Sequence, residues 1–167
     1  MAGASVNYYF RSKDQLYEAA FAKAFEKFAS GLAEAVAEAS GFEQILRAVI
    51  EHFARFYADH PDAVRLWMQE NLAGGQIAAH LIKEGDGEFA LEAFIDAYRE
   101  AETAGRVRSV DPYHLFVSVM GACLMLPIGR PTLQATLPPY SEQPEEFEAD
   151  RADAIFDLIW HGLAHEA

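Results

Sequence analysis

The sequence predicts an all-α protein, and three observations predict it. Apolar residues recur every three or four positions along almost the whole chain, the period of one helix face. No segment alternates apolar and polar residues as a half-buried strand would. Glycines and prolines fall between the periodic runs, where they stop or start helices. At 167 residues the chain suits one domain with a real core rather than two. About seven to nine helices of ordinary length fit that span.

From Lys13 to about Ala39, Tyr17, Phe21, Phe25, Phe28, Leu32 and Val36 trace one face of a long helix. Ser12 and Gln15 form a capping-box pattern at its start. Gly31 weakens its middle without breaking it. After Gly41 the residues Phe42, Ile45, Leu46, Val49, Ile50, Phe53, Phe56 and Tyr57 make a second, very regular stripe. It ends near Asp59-His60-Pro61, and Pro61 suits the first turn of a new helix. That helix carries Val64, Trp67, Met68 and Leu72 up to Gly74-Gly75, and Ile77, Leu81 and Ile82 mark a short one before Gly85. Phe89 to Ala104 reads as another, with Gly105 as its stop. Asp111 and Pro112 then serve as N-cap and first residue of a helix that is apolar nearly all round from Tyr113 to Leu126. Such a helix requires burial on every side. The stretch 127–144 holds five prolines without a period and predicts an exposed loop. A last helix runs from about Pro144 to Ala164.

A content of 51% hydrophobic and 13% aromatic residues excludes a disordered chain. No uninterrupted run of about eighteen apolar residues suggests a membrane span, and no basic-then-apolar leader suggests export. The expected compartment is therefore the cytoplasm. The single cysteine, Cys123, excludes an internal disulfide and reads as a buried thiol among apolar neighbours. The net charge of −13 argues against nucleic acid as a partner of the whole chain. The segment through Lys27 departs from this: Arg11, Lys13, Lys23 and Lys27 outnumber Asp14, Glu18 and Glu26, so it lacks the negative excess. An acidic body repelled by phosphate would stay clear of a duplex, although acidic soluble domains are common for other reasons.

The run Val6, Asn7, Tyr8, Tyr9, Phe10, Arg11, Ser12, Lys13, Asp14 resembles the join between the recognition helix and the next helix in TetR/AcrR-type transcriptional regulators. A weaker likeness lies in Gly105 to Pro112, GRVRSVDP, which is similar to the stretch before the penultimate helix of such chains. The resemblance implies a TetR-type body carrying a remnant of the helix-turn-helix domain. Residues 1–17 are then the end of the DNA-binding domain and residues 18–167 the ligand-binding and dimerisation domain. Most of the DNA-binding head would precede Met1, through a misassigned start, trimming or natural truncation. The function implied is ligand-responsive transcriptional control, most often repression, by a cytoplasmic homodimer on operator DNA.

The same resemblance assigns DNA contacts to Asn7, Tyr8, Tyr9 and Lys13. A lysine at a helix N-terminus adds its charge to N–H groups that already favour a phosphate. Four successive helices carry Phe53, Phe56, Tyr57, Trp67, Met68, Phe94, Tyr98, Phe116 and Met120 at inward spacing. In TetR-like proteins the corresponding helices surround an inducer cavity, so these residues are candidates for binding a small apolar effector; ordinary core packing is the other reading. Arg65, Gln69 and His80 are candidate polar contacts. The last two apolar helices are expected to pair with their copies in a four-helix bundle through Gly121, Leu124, Phe156, Ile159 and Trp160. His161 and His165 have the spacing of metal ligands, but Gly162 and the absence of a third ligand favour a frayed helix end. The sequence suggests no cofactor, no metal, no membrane partner and no catalytic constellation. Two further readings stay open: a ligand-binding and dimerisation module without DNA-binding activity, and a helical-bundle enzyme whose site leaves no motif.

Overall fold

A computed structural model describes residues 13–164, and nine helices lie among them. Helix α1 spans Lys13–Glu38, and its buried residues Phe21, Phe25, Ala29, Leu32 and Val36 follow the predicted spacing. The Ser12 cap lies outside the described residues. Helix α2, Phe42–Asp59, has eight buried positions and packs against α1 and most of the later helices. Leu46, Val49 and Ile50 on it are fully buried. Its chain enters through Gly41 at φ 77°, a left-handed value that glycine adopts without strain.

Helix α3, Pro61–Leu72, begins on proline and buries only Val64 and Glu70. It closes in a Schellman turn: Gly74 N–H donates to Asn71 O at 3.2 Å and Gly75 N–H to Glu70 O at 2.9 Å. Helices α4, Gln76–Lys83, and α5, Asp86–Thr103, follow. The end of α5 repeats the motif, with Gly105 at φ 70° and Arg106 N–H donating to Ala101 O at 2.9 Å. The following segment is tied down twice. Tyr98 Oη accepts from Val110 N–H at 2.7 Å, and Arg108 N–H donates to Leu163 O at 2.8 Å.

Helix α6 spans Pro112–Thr136, and Asp111 caps it as expected, its Oδ1 accepting from Tyr113 and His114 N–H at 2.9 Å each. The hydrogen bond from His114 N–H, joined by that from Tyr113, holds the Asp111 carboxyl below its ordinary range. The expected loop over 127–144 is not there. Instead α6 continues through Pro127 and Pro131 to Thr136, and α7, Pro138–Glu142, and α8, Pro144–Ala149, follow. A proline inside a helix removes one backbone bond, to the carbonyl four residues back. Pro127 and Pro131 are one turn apart, so the lost bonds fall on one side while the rest of the ladder persists. Pro138 and Pro144 sit in first turns, where no donor is needed. The final predicted helix is likewise divided at Asp150, and α9 covers Arg151–Leu163.

Helix α6 also departs from burial on every side. Leu115, Val119, Cys123 and Leu126 are buried, while Tyr113, Val117, Met125 and Ile128 stay exposed. An eighteen-residue window of α6 has a mean hydropathy of 1.4, long and apolar enough to cross a membrane by length and composition, a test that core helices of soluble proteins also pass. Most of the buried apolar residues among those described fall in two clusters. The main one joins α2, α5, α6, α9 and the C-terminal half of α1. Among the described residues the second has four buried members, Phe21, Phe25, Ala29 and Ala78, with Leu66, Trp67, Ile77, Leu81 and Ile82 packed on it.

Candidate functional site

Where the two clusters meet, α1, α2 and α3 enclose a narrow slot. Phe21, Ala24, Phe25 and Phe28 line it from α1, Phe56 and Tyr57 from α2, and Ala63, Leu66 and Trp67 from α3. The periodicity of α1 directs its aromatics inward, one per turn, so that Phe21 and Phe25 lie above one another. Their rings are 6.1 Å apart at 14°. Trp67 lies nearly parallel to both, 6.2 Å from Phe21 at 14° and 6.0 Å from Phe25 at 10°. Phe28 closes the inner end, edge-on to Phe53 at 4.9 Å and to Phe56 at 5.1 Å. The free volume is about 20 Å³, space for a single water. Tyr57 is the one titratable side chain of the lining, and burial raises its phenol well above the usual value.

Polar groups stand around this slot. Glu70 is buried, with 3% of its surface exposed, and its Oε1 accepts from Ile77 N–H at 2.8 Å and Ala78 N–H at 3.3 Å. It thereby supplies the first turn of α4 with the cap that Gly75 lacks, with its charge at the favourable helix end. Lys27 Nζ is 2.7 Å from His60 Nε2. Among the described residues, His60 Nδ1 is buried without a hydrogen-bond partner. His52 Nε2 donates to Phe28 O at 2.9 Å, and its ring contacts Phe28 and Phe56. Burial holds its pKa below the ordinary value, and the Arg55 charge adds to that. It fits because residue 31 is glycine: a Cβ there would lie 2.8 Å from His52 Cε1.

The predicted ligand residues divide into groups. Phe56, Tyr57 and Trp67 line the slot, and Phe53 stands behind Phe28 and Tyr57. Phe94, Tyr98 and Phe116 belong to a different aromatic group, around Phe42. Met68 and Met120 pack on the main core. The polar candidates are placed outward. Arg65 pairs with Asp62 and His80 with Glu84, all at exposed surface, and Gln69 is exposed. These positions fall on the solvent sides of α3 and α4, so none of them reaches the slot. The sequence reading missed Glu70, because nothing in a helix-interior glutamate announces that it caps the next helix. It also left the α1 aromatics out of the site, treating them as a core stripe.

Among the predicted DNA contacts, Lys13 is the exposed first residue of α1, and Asn7, Tyr8 and Tyr9 lie outside the described residues. Helices α6 and α9 present an apolar outer face. Gly121 is exposed with open space at its Cβ position, Leu124, Ile159 and Trp160 are half-buried, and Leu158 is exposed. Phe156 instead turns inward, covered by the Arg47 guanidinium 3.8 Å from its centroid and by Trp160. An open groove of about 310 Å³ runs between the two helices, past His114, Ser118, Leu158 and Gly162. Cys123 is buried, which raises its thiol pKa to about 12 and makes it unreactive. His161 Nδ1 is 2.8 Å from Asp157 O, and His165 lies outside the described residues. Among the described residues, no group of three or more His, Cys, Asp or Glu is placed to hold a metal.

Comparison with known proteins matches the chain both to a family model and to solved structures. A family model described as Tetracyclin repressor-like, C-terminal domain matches residues 43–159. A solved protein of unknown function from Rhodococcus sp. RHA1 has the same fold, with a TM-score of 0.68 at 19% identity over 93% of this chain and 77% of that one. The curated proteins give no match.

Proposed function

Since the chain belongs to the family of tetracyclin repressor-like C-terminal domains, we propose that it is the sensing and dimerising part of a ligand-responsive transcriptional regulator, most simply a repressor. Residues 18–167 form the ligand-binding and dimerisation domain in this reading. Residues 1–17 belong to the DNA-binding part, with Asn7, Tyr8, Tyr9 and Lys13 on phosphate. A small apolar effector binds in the body, and α1 carries the change towards the head. An effector shifts such an equilibrium only by its difference in affinity for the two states.

One observation carries the proposal: the apolar stripe of Tyr113, Val117, Gly121 and Met125 on α6, beside Leu158 on α9, is open to solvent within one protomer. A stripe of this kind on two neighbouring helices is the half of a four-helix bundle. Its test is sedimentation of the wild-type chain against Val117→Glu and Leu158→Glu. The wild type sediments as a dimer and both variants as folded monomers. A monomeric wild type at micromolar concentration overturns the dimer reading. The DNA role is tested by titrating fluorescent duplex with a chain extended upstream through the next in-frame start. Binding that weakens steeply with salt supports it, and salt-independent or absent binding overturns it.

A further inference from the structure

We infer that the slot between α1, α2 and α3 takes a flat, uncharged aromatic molecule, and that Trp67 is the plug such a molecule displaces. This rests on the reading of the body as an effector-binding domain and names the effector's chemical class. The ring planes carry the argument. Phe21, Phe25 and Trp67 lie within 14° of one another, two rings on α1 facing one on α3. A planar guest in place of the indole keeps the same offset stacking, which a saturated or branched guest cannot do.

The chemistry of the lining sets the charge. Phe21, Ala24, Phe25, Phe28, Phe56, Ala63, Leu66 and Trp67 offer no ionic group, and the Tyr57 phenol is kept protonated by burial. Lys27 is engaged with His60 and neither lines the slot. A charged guest would lose its hydration without a counter-charge. The phenol leaves room for one neutral polar substituent.

Displacement is required because the free volume, about 20 Å³, holds no organic molecule. The element that carries the plug is weakly held. Of its twelve residues α3 buries two, and it lies between the His60-Pro61 junction and the left-handed Gly74-Gly75 turn. Glu70 ties its far end to the first turn of α4. A guest that lifts Trp67 therefore moves α3 and α4 together, and its other wall is the N-terminal half of α1.

The test uses N-phenyl-1-naphthylamine, a neutral planar aromatic whose emission rises in apolar surroundings. Trp67→Ala opens the slot permanently and should bind the probe at least about tenfold more tightly than wild type. Trp67→Phe should fall between them. Trp67 and Trp160 are the two tryptophans of the chain, so in Trp160→Phe labelled with 5-fluorotryptophan one fluorine resonance reports the plug. Saturating probe should move it towards the solvent-exposed shift. Equal affinity in wild type and Trp67→Ala, an unmoved resonance, or no binding to any variant overturns the inference. An aromatic that releases DNA while Trp67 stays put would leave the regulator standing and sink the slot. Probe binding that follows the Trp67 series while DNA affinity is indifferent would do the reverse.

Discussion

The two halves of α1 are held by different means. From Leu32 onward the helix is one wall of the main core, facing Leu46, Val49 and Ile50, which have no exposed surface. Before Ala29, Phe21 and Phe25 rest on a satellite with four buried members among the described residues and on the half-buried Leu66 and Trp67 of α3, while Phe28 reaches across to the main core. Local opening costs least where few apolar contacts are buried. The first half is thus the movable part and the second half the anchor. That division suits a helix that has to report on a ligand without unfolding the body that holds it.

The sharpest way to break this contrast is to remove the same ring from each region. Phe94 has no exposed surface and meets Phe42 and Phe116 edge-on. Phe94→Ala should cost about 3–5 kcal/mol, a large share of a domain's stability, and lower the urea midpoint of the whole molecule. Phe21 is as well buried, at 2% exposure, yet Phe21→Ala should cost at or below about 3 kcal/mol, because the thin satellite can collapse around the gap. Hydrogen exchange separates the two outcomes. Phe21→Ala should speed exchange in α3 and α4 and leave α2 protected. If protection in α2 falls equally, the two regions are one cooperative unit and the contrast fails.

Glu70 offers a smaller test inside the satellite. Glu70→Ala strands the N–H groups of Ile77 and Ala78, a loss of about 1–3 kcal/mol that should show as fast exchange at those two amides. Glu70→Gln keeps the acceptor and gives up the charge at the helix end, about 0.3–1 kcal/mol. A Gln variant as damaging as Ala would mean that the charge, and not the hydrogen bond, holds α4.

Much of this was readable in the sequence, and the failures have physical causes. The stripe of α2, the Pro61 start, the Gly105 stop and the Asp111 cap are local signals, decided by neighbours within one turn, and each stands where the residues put it. The 127–144 segment misled because prolines were weighed as breakers, whereas their register along α6 and at the starts of α7 and α8 decides what they do. For the slot, periodicity shows which residues point inward and not which inward residues leave a gap. Phe94 and Trp67 have the same spacing signal, yet one is locked in the main core and the other lines the slot. That outcome depends on how few residues α3 buries, a tertiary fact.

The smallest effect concerns the pivot between the halves. Gly31→Ala raises helix propensity by about 1 kcal/mol, but its Cβ, 2.8 Å from His52 Cε1, pushes the ring off Phe28 O. Losing that hydrogen bond costs about 0.5–1.5 kcal/mol, so stability at neutral pH should change by less than about 1 kcal/mol. The pH dependence should change more clearly. Burial holds the folded His52 pKa below the unfolded value of 6.5, so between those two values the unfolded chain binds more protons and stability rises with pH. The contribution is complete above pH 6.5 and is lost as the pH falls towards the folded pKa. Asp111, whose pKa is lowered from 3.8, acts in a separate and more acidic window. With His52 displaced towards water, Gly31→Ala should flatten the stability profile in the window just below pH 6.5. Urea melts at the two ends of that window measure it. An unchanged slope would show that His52 keeps its buried place, and its hydrogen bond to Phe28 O, without the glycine.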